Sequence, residues 1–259
     1  METYRIGDIE GRLFRSAATG GKQLVYLHSG FGEVGDIELF SEFAEAGFDV
    51  VAPELPGFGT TPARQDWYKI EDVVFTLREI FDAIGIDSAL VAGSSLGGWL
   101  AAELAVWFPE RVDGLALIDP VGIYVEGASV FDMFAANQRE LVEAVFPGGG
   151  DILKFLEPAI EDPGDPDSVL LHFFNAMEAT ARIGWNPYLH DPKLRGRLPG
   201  VKTKSLVIWG EDDGVLPRAH AEAYADGLAD ARLVTIAEAG HMPALEKPGE
   251  VVKAIEAEF

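Results

Sequence analysis

Six short apolar runs recur along the chain: QLVYLH (23–28), FDVVAP (48–53), SALVAG (88–93), VDGLALID (112–119), KSLVIWG (204–210) and ARLVTIA (231–237). Each has the length of a β-strand and is apolar nearly throughout. A strand with one wet face alternates with a period of two, so continuous apolarity implies burial on both faces of a sheet. Segments of helical periodicity lie between the runs. Residues 70–86 place Val73, Leu77, Ile80, Phe81 and Ile84 on one helical stripe. From Ser95 to Phe108, the residues Leu96, Leu100, Leu104 and Phe108 fall four apart, with Pro109 just past the end, where proline commonly follows a helix. Strands alternating with helices predict an α/β fold with a mostly parallel central sheet and helices on both faces. The opening YRIGDIEGRLFRS reads as an antiparallel hairpin at the sheet edge.

The rhythm breaks between about residues 121 and 199. This stretch contains the turn-forming FPGGGD and EDPGDPD, and its helical pieces carry Phe131, Met133, Phe134, Phe146, Phe155, Phe173, Phe174, Trp185 and Tyr188. It falls between two core strands. The expected organisation is a core of residues 1–120 and 200–259 with a helical cap, 121–199, inserted in it. Most of the cap's aromatic residues would form its own small core, and a minority would line an apolar pocket. A chain of 259 residues, 48% apolar, suffices for this.

Charge and composition remove several function classes. The 43 acidic residues outnumber the 20 basic ones, for a formal net charge of −23, and no basic cluster appears. Nucleic-acid binding needs a cationic face, and so does binding to an anionic membrane surface. Neither is expected. The absence of cysteine excludes disulfides, thiol catalysis and thiolate metal sites. No apolar run approaches the roughly 18 residues of a membrane span, and METYRIGDIEGRLFRS has no apolar signal core. A cytoplasmic protein acting on a small molecule is the expectation.

The chemistry gathers around VAGSSLGGW (91–99). Gly93-Ser94-Ser95-Leu96-Gly97 matches G-x-S-x-G, with a strand run before it and a helix pattern after it. In that context the central serine sits on a strained strand-to-helix turn and is held out above the sheet. The register selects Ser95 and leaves Ser94 pointing away. As a plain helix cap the stretch would also be serviceable, so the nucleophile assignment depends on partners elsewhere. A serine hydroxyl needs a base within hydrogen-bond reach, and that base needs an orienting carboxylate. Five histidines are available. His172 and His190 fall in the cap, His220 in a helix, and His28 at a strand end, each suited to packing or structural hydrogen bonding. His241, preceded by glycine in AEAGHMPALEKP after the last strand, is the candidate base. WGEDDGVLP offers Asp212 and Asp213 as the acid, and Asp119, at the end of GLALID, is a weaker rival.

With these motifs in order, the chain resembles the α/β-hydrolase superfamily, and the resemblance spans nearly its whole length. Ser95, Asp213 and His241 follow that family's order of nucleophile, acid and base. APELPGFGTT (52–61), WGEDDGVLP and AGHMPALEKP look like its characteristic loops, and the cap occupies its usual insertion point. The resemblance implies a serine hydrolase with no metal or organic cofactor, working through an acyl-enzyme. The oxyanion would be held by the N–H of Leu96 and by a second N–H from HSGFG (28–32). The family usually has glycine where Ser29 stands, which leaves Gly30 or Phe31 as that second donor. Serine at position 95 separates the chain from the epoxide hydrolases and haloalkane dehalogenases, which have aspartate there. Met242, beside the base, departs from the lysine of hydroxynitrile lyases and the tryptophan of meta-cleavage hydrolases. Arg182 could still supply the cap arginine of the latter. The reading favours carboxylic esters of small to medium apolar substrates. Alternatives are carbon–carbon hydrolysis of ring-fission products, lactone hydrolysis, and a non-enzymatic ligand receptor on the same fold.

Overall fold

A computed structural model describes residues 2–16, 20–32, 37–147 and 169–259. The strands are β1 Glu2–Ile6, β2 Ile9–Arg15, β3 Lys22–Leu27, β4 Phe48–Pro53, β5 Ala89–Ser94, β6 Val112–Ile118, β7 Ser205–Gly210 and β8 Ala231–Ile236. The helices are α1 Ile37–Glu45, α2 Ile70–Ile84, α3 Leu96–Trp107, α4 Gln138–Val145, α5 Val169–Gly184, α6 Leu194–Arg197, α7 Ala219–Gly227, α8 Pro243–Glu246 and α9 Pro248–Glu258. The strands form one sheet in the order β1-β2-β4-β3-β5-β6-β7-β8. β1 and β2 pair antiparallel, β2 joins β4 antiparallel, and every other pairing is parallel. The six apolar runs fall on β3 to β8 to within a residue or two at each end.

Burial on both faces explains the continuous apolarity of the inner strands; β8, at the sheet edge, departs from the expectation, with Arg232 and Thr235 exposed and Ile236 its one fully buried residue. Val25, Leu27 and Val91 pack with Val73, Leu77, Leu100 and Leu104 of α2 and α3. Their sequence neighbours Leu24, Tyr26, Leu90 and Ala92 face the opposite way, against Leu39 and Phe43 of α1 and Val251 and Ile255 of α9. Removing one such side chain, as in Leu100→Ala, costs about 2–5 kcal/mol.

The strand order reverses at β3. The chain moves outward from β3 to β4, then crosses back to β5 on the other side. In open α/β sheets the crevice at the carboxyl ends of the strands beside such a switch is where ligands bind. Here it lies between the loop after β3, which begins at His28, and the turn after β5, which is Ser95.

Between β6 and β7 the described residues form α4, α5 and α6. Phe134 packs on Trp185 and Tyr188, and Met133 is buried. Phe174 and Trp185 depart from the expected cap core: they are 60% and 63% exposed. Helical spacing alone could not tell which stripe of α5 meets the core. Phe155 and the sequence from 148 to 168 lie outside the described residues. Among the described residues, no helix is long and apolar enough to cross a membrane.

Candidate active site

The turn between β5 and α3 is built by close approach. Ser95 has φ 51° and ψ −109°, a positive-φ conformation that costs a side-chain-bearing residue energy. It is held there by its N–H, which donates to the Ile118 carbonyl at 2.8 Å. A Cβ on Gly93 would lie 2.2 Å from the Gly97 carbonyl oxygen, and one on Gly97 would lie 2.0 Å from that of Leu27. A side chain at 93 would collide with the first turn of α3 and one at 97 with the end of β3, so the two glycines of the motif are spatial requirements. Leu96 opens α3, where first-turn N–H groups have no partner within the helix.

The loops after β7 and β8 bring two more groups to this turn. Ser95 Oγ lies 2.9 Å from His241 Nε2, and His241 Nδ1 lies 2.8 Å from Asp213 Oδ2. The chain of contacts fixes the proton positions: Nδ1–H donates to the carboxylate, and Nε2 accepts from the serine hydroxyl. Both the His241 and Asp213 side chains are fully buried. Asp213 Oδ1 accepts from the N–H groups of Val215 at 2.7 Å and Leu216 at 2.9 Å. Burial by itself would raise the Asp213 pKa, but the neighbouring His241 and these hydrogen bonds overcome it and hold the carboxyl below its ordinary value. Asp212 faces solvent. Ser94 is buried and turned away, donating to Met242 Sδ at 3.9 Å.

The other histidines do structural work where the structure shows their contacts. Burial lowers the pKa of His28, whose Nδ1–H donates to the Ser29 carbonyl while Nε2 accepts from the Leu55 N–H. His220 is buried against the Pro217 carbonyl, and His190 contacts that of Tyr188. In the loop after β3, the two candidate donors differ. The Phe31 N–H is spent on Ser29 Oγ at 3.1 Å. The Gly30 carbonyl instead accepts from Thr180 Oγ1 of α5 at 2.8 Å, which ties this loop to the segment after β6.

Sequence reasoning missed how that segment braces the site. The His241 N–H donates to the Val145 carbonyl at 2.9 Å, and the Gly214 N–H donates to the Ala144 carbonyl at 3.1 Å. The end of α4 thus holds the loops of both base and acid. Backbone acceptors leave no mark in a sequence, so only the fold could reveal them. Asp119, the rival acid, is fully buried with φ 41°, and both its oxygens lie near the Gly210 N–H, at 3.0 and 3.1 Å.

Asp119, Asp213 and His241 are the one group among the described residues whose potential ligand atoms converge, all within 4.8 Å of one another. Both ring nitrogens of His241 and the oxygens of Asp213 are already engaged as above. That donor set suits a hydrogen-bonded relay better than a cation. Arg182 of α5 pairs with Glu178 and lines a cleft of about 310 Å³ with Pro56, Thr60, Arg64 and Trp67; neither Ser95 nor His241 is part of its lining.

Comparison with known proteins places the chain among relatives. Residues 24–254 match the family model described as the alpha/beta hydrolase family. Over 261 residues the chain is 32% identical to the dihydrolipoyllysine-residue acetyltransferase component of the acetoin cleaving system of Cupriavidus necator. That alignment covers 95% of this chain and 66% of the relative, so the chain spans just under two thirds of that protein. It is 27% identical over 254 residues to a 2-hydroxy-6-oxo-6-phenylhexa-2,4-dienoate hydrolase of Comamonas testosteroni, covering 89% of this chain and 85% of the other. A solved hydrolase of the same description from a Rhodococcus species superposes with a TM-score of 0.78 at 23% identity, covering 99% and 97% of the two chains.

Proposed function

The chain belongs to the alpha/beta hydrolase family, and on that premise we propose that it is a serine hydrolase in which Ser95 is the nucleophile, His241 the base and Asp213 the orienting acid. The observation that carries the reading is the pair of contacts at 2.9 and 2.8 Å joining the three side chains in line at the head of α3. In the proposed cycle Nε2 of His241 takes the Ser95 proton as Oγ attacks a carbonyl carbon. The same proton then passes to the leaving group, and water releases the acyl-enzyme with His241 again as base. Asp213 stays ionised. The developing oxyanion takes the Leu96 N–H and the Gly30 N–H, since that of Phe31 is already turned onto Ser29. Each such donor contributes on the order of 3 kcal/mol.

We assign the substrates as carboxylic esters of small to medium apolar acids, lactones included. Phe31 stacks on Phe173 of α5 beside the Gly30 loop, at 5.8 Å between ring centres, which gives the crevice an apolar wall. Each CH₂ buried against it contributes about 0.8 kcal/mol. Met242 beside the base and the pairing of Arg182 with Glu178 argue against a dianionic ring-fission product.

A second reading is favoured by a specific finding, the naming of several relatives as hydrolases of such products. Both are tested together. Chromogenic esters from acetate to octanoate and a yellow phenyl-substituted hexadienoate are offered to the same preparation. The ester reading expects kcat/KM to rise and then fall with chain length, with slow bleaching of the dienoate. Rapid bleaching with negligible ester turnover reverses the assignment. A single turnover that leaves a persistent adduct would instead identify a ligand receptor.

A further inference from the structure

Asp119 is a buried ionisable side chain that this mechanism does not use, and it lies against the mechanism's acid. It follows β6 directly, and Asp213 follows the parallel neighbour β7, so the sheet sets the two carboxyls side by side. The titratable groups around Asp119 are Asp213 after β7, His241 after β8 and Glu246 of α8. None is a buried cation, apart from His241 when it is protonated.

Two adjacent carboxylates cannot both remain charged in a fully buried site, since each lacks water and repels the other. One must hold a proton. Asp213 has the stronger claim to the charge, with two backbone N–H donors and His241 Nδ1–H directed at it. Among the described residues, Asp119 has only the Gly210 N–H directed at it, shared between its two oxygens. We propose that Asp119 is a positioning residue for the triad: it stays protonated, donates its O–H to Asp213, and so gives the carboxyl pair a single negative charge fixed on the oxygen atoms that orient His241. Burial first, then the charge of Asp213 and a hydrogen bond to it, raise the Asp119 pKa well above the ordinary carboxyl value, in keeping with this geometry. The inference rests on the triad reading above, because positioning has meaning only if His241 is the base.

The proposal makes an unusual demand of the conservative variant. An asparagine at 119 reproduces the protonated acid, with a carbonyl to accept from Gly210 and an amide N–H to donate to Asp213. It also tolerates the positive φ. Asp119→Asn should therefore keep kcat within about threefold, with the acid limb of the kcat/KM–pH profile unmoved. Asp119→Gly fits the backbone but removes the donor. It should lose about tenfold or more in kcat, as loss of an outer hydrogen-bond partner commonly does. Its acid limb should move up by about one pH unit, because Asp213 then exposes its full charge to His241. A downward move of about one unit in Asp119→Asn would show that the residue carried a charge, and would overturn the proposal. So would equal damage from both variants.

Infrared difference spectroscopy gives a readout that does not need activity. In the spectrum of the unsubstituted protein minus that of Asp119→Asn, where the carboxyl of Glu103 with its pKa of about 7 cancels, a protonated, buried carboxyl band should stand at neutral pH, and Ser95→Ala should retain it. Absence of the band refutes Asp119 alone. A band present in a protein whose Ser95 resists an active-site phosphonate refutes the triad and leaves the protonation state of Asp119 standing.

Discussion

The β5–α3 turn and the segment between β6 and β7 reach the same crevice by different physical means. The turn is specified locally. Gly93, Ser95 and Gly97 sit within five consecutive residues, and their backbone clearances leave one conformation available. The β6–β7 segment acts at long range, through the Val145 and Ala144 carbonyls and the Thr180 hydroxyl. The contrast teaches that the residues of the proposed triad are marked by short motifs, whereas their alignment depends on a region whose sequence carries no motif.

The largest effects should come from the locally specified half. Ser95→Ala should cut kcat by about 10⁴–10⁶, while Ser94→Ala stays within about threefold. Asp213→Asn should cost about 10⁴, because the amide favours the wrong imidazole tautomer. Steady-state ester hydrolysis measures all three. A mild Asp213→Asn would transfer the acid's role elsewhere and erase the contrast.

The long-range half is tested at its joint with the base. A Cβ at Gly240 would lie 2.3 Å from Pro147 Cδ and 2.4 Å from the Val145 carbonyl oxygen. Gly240→Ala should therefore displace the His241 loop and lower kcat by about 10- to 100-fold, since misplacement of about 1 Å costs that much. An unchanged melting temperature would attribute the loss to alignment. Full activity would mean that the end of α4 does not brace the base. A smaller effect is expected at the second joint. Thr180→Val removes the donor to the Gly30 carbonyl, a hydrogen bond contributing about 1 kcal/mol, so kcat/KM should fall by about fivefold.

The smallest effect probes the body of α3 away from the chemistry. Glu103 is fully buried and accepts from the indoles of Trp99 and Trp107 at 3.2 Å each. Burial pushes its pKa up to about 7. A raised carboxyl pKa means the folded state holds a proton that the unfolded chain has released. This contribution to stability is therefore greatest below the unfolded value, falls as pH rises from there to about 7, and levels off above it. The raised carboxyls of Asp119 and Glu246 tilt the profile the same way. His28 and His220, whose pKa values burial lowers, tilt it the other way, so the Glu103 contribution is read as a difference between two proteins. Denaturant unfolding between about pH 5 and pH 8 should show the stability of the unsubstituted protein, relative to Glu103→Gln, declining with pH. A relative stability that climbs across that range would contradict the sign.

Much of this was legible in the chain itself. The strands followed from continuous apolarity, because both faces of the sheet are covered. Ser95 was separable from Ser94 because the motif's register tolerates one choice. Asp213 and His241 were separable from many other acids and histidines because each follows a strand run in the right order. Asp119 was visible as a carboxyl at a strand end, but its partnership with Asp213 depends on β6 and β7 being parallel neighbours. The bracing carbonyls of Ala144 and Val145 were illegible, since every residue carries the same acceptor. The exposed rings of Phe174 and Trp185 misled for a related reason: an aromatic residue in a helix announces apolar area without saying what covers it.

The central claim is that Ser95 alone among the serines is activated, and covalent labelling addresses it directly. The intact protein is treated with a small alkyl phosphonate ester, and the adduct is located by peptide mass spectrometry. The structure predicts one adduct per chain, on Ser95, absent from Ser95→Ala and formed far more slowly in His241→Ala. An adduct on Ser94, or undiminished labelling of Ser95→Ala, would contradict it.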